Sequence, residues 1–359
     1  MEEHIFINNP KNELPSFASV TMESPSNIAL VKYWGKKEIQ IPTNPSISFT
    51  LKNCKTTTTV KFQKGSKKLN DVIVENKIEK SFTPKIEKYL SLIKQYCPFL
   101  ENFELTISTS NTFPHSSGIA SSASGFSALS MCIVQFEQKI CDYSNIFKMQ
   151  KASFLSRIGS GSASRSIYGP MAIWGRNEAN ENCSNSFATM HDKVNDIFKD
   201  FQDTVLLIDK GQKQVSSTVG HNLMINHHYS DERFNQAKKN LNSIIQILES
   251  GNLDDFIQIV EHEALTLHAM MMTSSPYFIL MKPGTIEVIQ KVWEFRRATN
   301  SPICFTLDAG ANVHLLYPKS ESERILNFVK EQLIGYCENQ QYICDEIGTG
   351  PKLIEESYD

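Results

Sequence analysis

Arginine is scarce and late in this sequence: there are seven in 359 residues, and none precedes Arg157. Neither sign of charge dominates, with 36 Lys plus Arg against 39 Asp plus Glu. That balance excludes a broad electrostatic grip on nucleic acid or an anionic membrane, so any anion site must be built locally. No apolar run approaches the roughly 20 residues of a membrane span. The opening MEEHIFINNPKNE lacks both the basic start and the apolar stretch of a signal peptide, so a cytoplasmic protein is expected. Cysteine is present but dispersed. Cys54, Cys97, Cys132, Cys141, Cys183, Cys304, Cys337 and Cys344 show no close pair of the zinc-knuckle or redox kind, and free thiols are expected. The nine histidines also lack metal-ligand spacing: His227 and His228 are adjacent, and His262 and His268 fall on an apolar helical pattern where a packed or half-exposed role is expected. No protein metal cage is expected.

What is there suits one large core or two ordinary ones, since 40% of the chain is hydrophobic. SNIALVKYWG, SISFTL and TTTTVKF read as short strands near the N-terminus, KIEKYLSLIKQY as an amphipathic helix and FELTIST as a strand. An apolar helix follows from Ile119 to about Gln138, then a second helix, FKMQKASFLSRI, the small-residue loop GSGSASRS and a strand in YGPMAIWG. Residues 176–196 are polar and turn-rich, which places a boundary between domains 1–190 and 191–359. Beyond it come the strand TVLLI, two long helices over SDERFNQAKKNLNSIIQILES and LDDFIQIVEHEALTLHAMMM, and a third over GTIEVIQKVWEFRRA. A strand pattern broken by glycine, ICFTLDAGANVHLLYP, and a last helix, SERILNFVKEQLIG, follow. The expected class is α+β, two domains of mixed or antiparallel sheet packed on helices with a cleft between them.

The loop PHSSGIASSA, Pro114 to Ala123, carries the clearest chemistry. Small residues let backbone N–H groups converge on an anion at a helix start, where the helix adds about half a positive charge. Ser121 and Ser122 can donate hydroxyls to phosphate. No Gly-Lys-Ser/Thr follows, so this is not a Walker loop. Small residues are equally what close helix packing requires, and the loop alone does not separate the two readings.

The pattern proline, three variable residues, Gly, Ile or Leu, one variable residue, Ser-Ser-Ala resembles the ATP loop of the superfamily of galactokinase, homoserine kinase, mevalonate kinase and phosphomevalonate kinase. Three further segments resemble its diphosphomevalonate decarboxylase family: SNIALVKYWGK from Ser26, GSGSASR from Gly159 and FTLDAGAN from Phe305. With the loop they span residues 26–312 in the family's order.

The resemblance implies ATP-dependent decarboxylation of mevalonate 5-diphosphate, with ATP and magnesium bound and a homodimeric assembly. It makes Asp308 the carboxylate that orients or deprotonates the substrate hydroxyl, Lys32 a fixed charge beside it and Arg165 the holder of the carboxylate that leaves. Tyr33, Lys36, Ser160, Ser162 and Ser217 become contacts of the diphosphate. Pro114, Ser116, Ser117, Gly118, Ile119, Ala120, Ser121 and Ser122 form the ATP loop. By their sequence context alone, Asp308 is equally a turn-initiating Asp, Lys32 a strand lysine reaching solvent and Lys36 a solvated loop lysine. Two departures stand out. Lys85 falls where the family usually places an arginine, keeping the charge but losing the fork. His221 follows Gly220 where relatives often have methionine. Ala163 stands where kinases of the superfamily commonly carry an acid, which favours a decarboxylase over a kinase. A monophosphate decarboxylase is the nearest rival, and a non-catalytic metabolite sensor the distant one.

Overall fold

In chain order the elements are β1 (Phe17–Val31), β2 (Lys36–Lys37), β3 (Ile41–Pro42), β4 (Ser46–Lys64), β5 (Leu69–Val74), β6 (Lys77–Ile78), α1 (Thr83–Ile93), β7 (Phe103–Asn111), α2 (Ser121–Cys141), α3 (Asn145–Gly159), β8 (Met171–Trp174) and β9 (Ala188–Met190). They continue with β10 (Gln202–Leu206), α4 (Ser217–Asn222), α5 (Ser230–Ser250), α6 (Leu253–Met272), α7 (Pro283–Thr299), β11 (Cys304–Thr306), β12 (Val313–Tyr317), α8 (Ser322–Phe328), β13 (Tyr342–Glu346) and β14 (Lys352–Tyr358). This is a computed structural model, and it describes residues 3–66, 69–114, 119–178, 181–211 and 217–359. The class is α+β, as the sequence indicates.

The first sheet runs β14-β1-β4-β7-β5-β6, with β8 added to β4 and β9 to β8; all pairs are antiparallel except β5 with β7. SISFTL and TTTTVKF, expected as two strands, are one strand, β4. The continuity has a physical cause. Opposite the irregularity in β1 between Pro25 and Asn27, the N–H groups of Lys52, Asn53 and Cys54 donate to the Asp345 carboxylate at 3.0, 2.8 and 2.7 Å. The backbone donors that would otherwise favour a turn there are satisfied in place.

The apolar stripe of α2 packs on this sheet beside α3, and Phe62, Phe103 and Phe136 form an aromatic knot, with Phe62 and Phe136 stacked at 4.4 Å. Burying α2 in this way fixes where its N-terminus opens. The second sheet, β11-β12-β10-β13, is antiparallel. One of its faces shares a core with α5 and α6, and that core also takes Ile28, Leu30, Ile47 and Phe49 from β1 and β4. The other face is covered by α7 and α8. Ile28, Leu30 and Val31 therefore end β1 against the second half of the chain, and whatever follows Val31 emerges at the junction.

Candidate active site

Lys32 is the residue that emerges there. Its side chain is 2% exposed, and its ammonium lies 2.9 Å from Oδ1 of Asp308, which is 23% exposed. Solvent exposure, the usual outcome for a strand lysine, does not occur. Asp308 sits in the turn that joins β11 to β12, where the Gly310 N–H donates to its carbonyl at 2.7 Å. The pair sets a sheltered cation against a carboxylate that still reaches solvent.

Arg165 lies close by, 2% exposed, in the Gly161–Ile167 turn that follows α3. Its Nε donates to Ser48 Oγ at 3.0 Å and Nη1 to Ser46 Oγ at 2.6 Å, which fixes the guanidinium plane. Burial lowers its pKa to about 10, against the opposing pull of Asp308 and Tyr33, so the group keeps its charge at neutral pH.

The ATP-type loop and the Gly-Ser loop meet. Ser122 Oγ, in the first turn of α2, is 3.2 Å from Ser160 Oγ, which is 3.5 Å from Ser162 Oγ. Two polar residues at the head of the first motif hold the loops together: Ser26 donates to the Ile119 carbonyl at 2.7 Å, and Asn27 donates to the Ser162 carbonyl at 3.1 Å. Ala120 precedes α2 in the left-handed region, φ 38°, at a cost of roughly 1–3 kcal/mol for a residue with a Cβ. Pro114, Ile119, Ala120 and Ser121 flank the loop mouth, while Ser116, Ser117 and Gly118 lie outside the described residues.

Tyr33 and Lys36 form a second wall. The Tyr33 ring stands edge-on to Trp174 at 4.8 Å, and both Tyr33 and Lys36 donate to Gln40 Oε1, at 3.4 and 3.2 Å. Burial, and then the charge of Lys88, lower the Lys36 pKa. Lys85 packs on an aromatic ring. Its ammonium sits 5.1 Å above the Phe126 ring, and that ring fills the space over Gly159, the residue before Ser160. Ser217 begins α4, and its side chain lies outside the described residues.

The chain matches the family model for the diphosphomevalonate decarboxylase-like N-terminal domain over residues 24–188. It matches the mevalonate 5-diphosphate decarboxylase C-terminal domain over residues 204–356. It belongs to the diphosphomevalonate decarboxylase family. A crystal structure of a mevalonate diphosphate decarboxylase from Staphylococcus aureus is 29% identical, with TM-score 0.82 over 94% of this chain and 98% of that one. One from Enterococcus faecalis is 28% identical, with TM-score 0.80 over 94% and 99%. The diphosphomevalonate decarboxylase of Aspergillus fumigatus is 26% identical over 331 residues, 86% of this chain and 79% of the relative.

Within this decarboxylase family the residue at position 221 becomes interpretable. The His221 ring lies between Tyr33 and Trp34, at 4.2 and 4.7 Å, and its Nδ1 accepts the Gly35 N–H at 3.0 Å. His221 thus shapes the wall that carries Tyr33 and Lys36. Burial lowers its pKa to about 3, helped by Lys36, and burial lowers that of His268 to about 4. Both values lie below the ordinary histidine range, so the unfolded chain binds more protons between pH 4 and 6.5. Stability is therefore complete above about pH 6.5 and falls as acid is added, by about 1.4 kcal/mol per pH unit for each such histidine. Melting temperatures at pH 7.5, 6.5, 5.5 and 5.0 should decline steadily below 6.5; a flat curve would show that these rings take up protons in the fold.

Sequence reading missed Ser46, Ser48, Asn44, Arg233 and Glu263, all buried polar groups around the site. Ser46 and Ser48 alternate along one face of SISFTL, and Glu263 interrupts the apolar stripe of α6, but neither pattern names a partner.

Proposed function

We propose that this protein converts (R)-mevalonate 5-diphosphate and ATP to isopentenyl diphosphate, ADP, phosphate and CO2 in the mevalonate route to isoprenoids. The observation that carries the reading is the Lys32–Asp308 ion pair, whose carboxylate reaches solvent, with Arg165 beside it. A kinase of ordinary hydroxyls needs a base. Loss of CO2 after phosphorylation also needs cations at the departing phosphate and at the carboxylate. A solved relative 29% identical to this chain is described in complex with MVAPP, AMPPCP and magnesium.

In this reading Tyr33, Lys36, Ser160, Ser162 and Ser217 hold the diphosphate, with Lys85 contributing charge from the side. Arg165 offers the substrate carboxylate the guanidinium edge that the two serines leave open. Asp308 accepts or orients the proton of the tertiary hydroxyl, and Lys32 keeps a positive charge where the phosphate forms and departs. Residues 1–190 supply the phosphate-binding half, and residues 191–359 supply Asp308 and the helix behind it. ATP enters over the start of α2. Among the described residues no three His, Cys, Asp or Glu side chains cluster to hold a metal. The Ser121 and Ser122 hydroxyls fit magnesium arriving with ATP, where it neutralises phosphate charge. No helix among the described residues is long and apolar enough to cross a membrane. The eight free cysteines, seven of them buried, suit a reducing cytoplasm, and a homodimer, measurable by sedimentation, is the proposed assembly.

The test is parallel release of CO2 and ADP from ATP-magnesium with mevalonate, its 5-phosphate or its 5-diphosphate. Equal amounts of both products from the diphosphate alone are expected. ADP without CO2, or preference for the monophosphate, would defeat the reading.

Gly161 tests the wall separately. A Cβ there would lie 2.8 Å from Trp174 and Tyr33 ring atoms. Gly161→Ala should cost about 1–3 kcal/mol of stability by overpacking and raise KM for the diphosphate as Tyr33 shifts. An unchanged KM in a folded variant would remove Tyr33 from the substrate contacts.

A further inference from the structure

Most buried residues of α6 are apolar, among them Phe256, Ile257, Val260, Ala264, Leu267, Met270 and Met271. Glu261, Glu263 and His268 break this pattern; Glu261 is paired with Arg296, while Glu263 and His268 are the most deeply buried, 0% and 1% exposed. A buried carboxylate and a buried imidazole on an apolar helix are costly unless each meets specific partners. Their partners are the backbones of the two reacting-centre residues. Glu263 Oε2 accepts the Lys32 N–H at 2.8 Å, and His268 Nε2 donates to the Asp308 carbonyl at 3.2 Å.

The first contact is itself braced. The Arg233 guanidinium forks onto Glu263, Nη1 to Oε1 at 2.9 Å and Nη2 to Oε2 at 2.6 Å, and Asn240 donates to Oε1 at 2.6 Å. Arg233 Nη2 also donates to the Lys32 carbonyl at 3.3 Å, and Asn44 donates to the same oxygen at 2.9 Å. The Lys32 peptide is thus gripped at both its N–H and its C=O. Because a carbonyl only accepts, His268 must carry its proton on Nε2. Glu263 and His268 are five residues apart on one helix, about 7.5 Å along its axis, a rise set by backbone hydrogen bonds.

We propose that α6 is a spacer that sets the Lys32–Asp308 distance, with Glu263 and His268 as positioning residues, one for each member of the pair. Lys32 comes from the end of β1 and Asp308 from the turn after β11, so neither element alone fixes their separation. α6 touches both and supplies that separation. The proposal rests on the functional reading above, which the wild-type assay tests on its own: a wild-type protein inactive on all three substrates defeats that reading and leaves the geometry to be judged structurally.

The experiment compares His268→Leu, His268→Gln and Glu263→Gln in the CO2-release assay. Gln places an amide N–H where Nε2 stood; Leu places none. Loss of positioning by a fraction of an ångström to one ångström should lower kcat on the order of 10-fold to 100-fold, with KM for ATP and the diphosphate nearly unchanged. His268→Gln should recover most of that loss. Glu263→Gln should resemble His268→Leu; if too little of it folds, the two His268 variants decide. A His268→Leu enzyme with wild-type kcat overturns the proposal, as does a Gln variant no better than Leu. Independently of turnover, a crystal structure of His268→Leu should show Lys32 Nζ and Asp308 Oδ1 parted beyond about 4 Å, the limit of an ion pair. The pair unmoved in that structure would overturn it equally.

Discussion

Asp308→Asn should lower kcat on the order of 100-fold to 10,000-fold or more, with ADP and CO2 falling together, while substrate and ATP still bind. The substitution keeps the side chain's shape and removes its charge. Asp308 is only partly buried, so the loss falls on chemistry more than on folding. Lys32, at 2% exposure, loses its counter-charge at the same time. A second expectation follows from that contact: Lys32→Ala with Asp308→Asn should be hardly worse than the poorer single variant, because members of a unit lose activity non-additively. Single-turnover ADP formation within ten-fold of wild type in Asp308→Asn would exclude Asp308 as base or orienter of the hydroxyl. Simple addition of the two losses would show that the ion pair is incidental.

Arg165→Lys should reduce kcat on the order of 100-fold to 1,000-fold, the size of effect seen when one preorganised donor to developing charge is removed. Charge is conserved in this change; geometry is not. The guanidinium spans Ser46 and Ser48 at once, at 2.6 and 3.0 Å, with its plane fixed by both, and an ammonium cannot reproduce that fork. One serine hydroxyl would lose its partner, costing about 1–3 kcal/mol as well. The product ratio is the sharper readout. If Arg165 serves only the step that releases CO2, ADP will exceed CO2 in the variant. If it orders the substrate before phosphorylation, the two will decline in step. Turnover within a few-fold of wild type would remove Arg165 from the reacting centre.

Much of the candidate site was legible because its residues fall in four short segments, SNIALVKYWGK, PHSSGIASSA, GSGSASR and FTLDAGAN, and the fold brings together the parts of all four that are described. Helices were legible where apolar periodicity was long, as in α5 and α6. Strand identity failed where the reason lay elsewhere in the chain. β4 continues past Leu51 because Asp345, nearly 300 residues away, satisfies its backbone donors. The strands β13 and β14 escaped notice because β14 is exposed or half-buried throughout and the one buried residue of β13 is the charged Asp345, so neither shows an apolar face. Glu263 and His268 escaped for a different reason. Their partners are backbone atoms of Lys32 and Asp308, and a peptide group leaves no mark in a sequence.

The place of β14 bears on how the molecule is made. Ala18 pairs with Tyr358 and Glu23 with Lys352, so β1 finds one of its two neighbours in a strand synthesised hundreds of residues later. At synthesis rates of roughly 5–20 residues per second, the open edge of β1 stays unpaired for tens of seconds. During that interval Ala18, Val20 and Met22, all buried in the finished fold, lie beside an unfilled strand position. Glu23 is the one charged residue along that edge, so its protection by chaperones while the chain is being made bears on the yield of folded protein alongside the stability of the completed sheet.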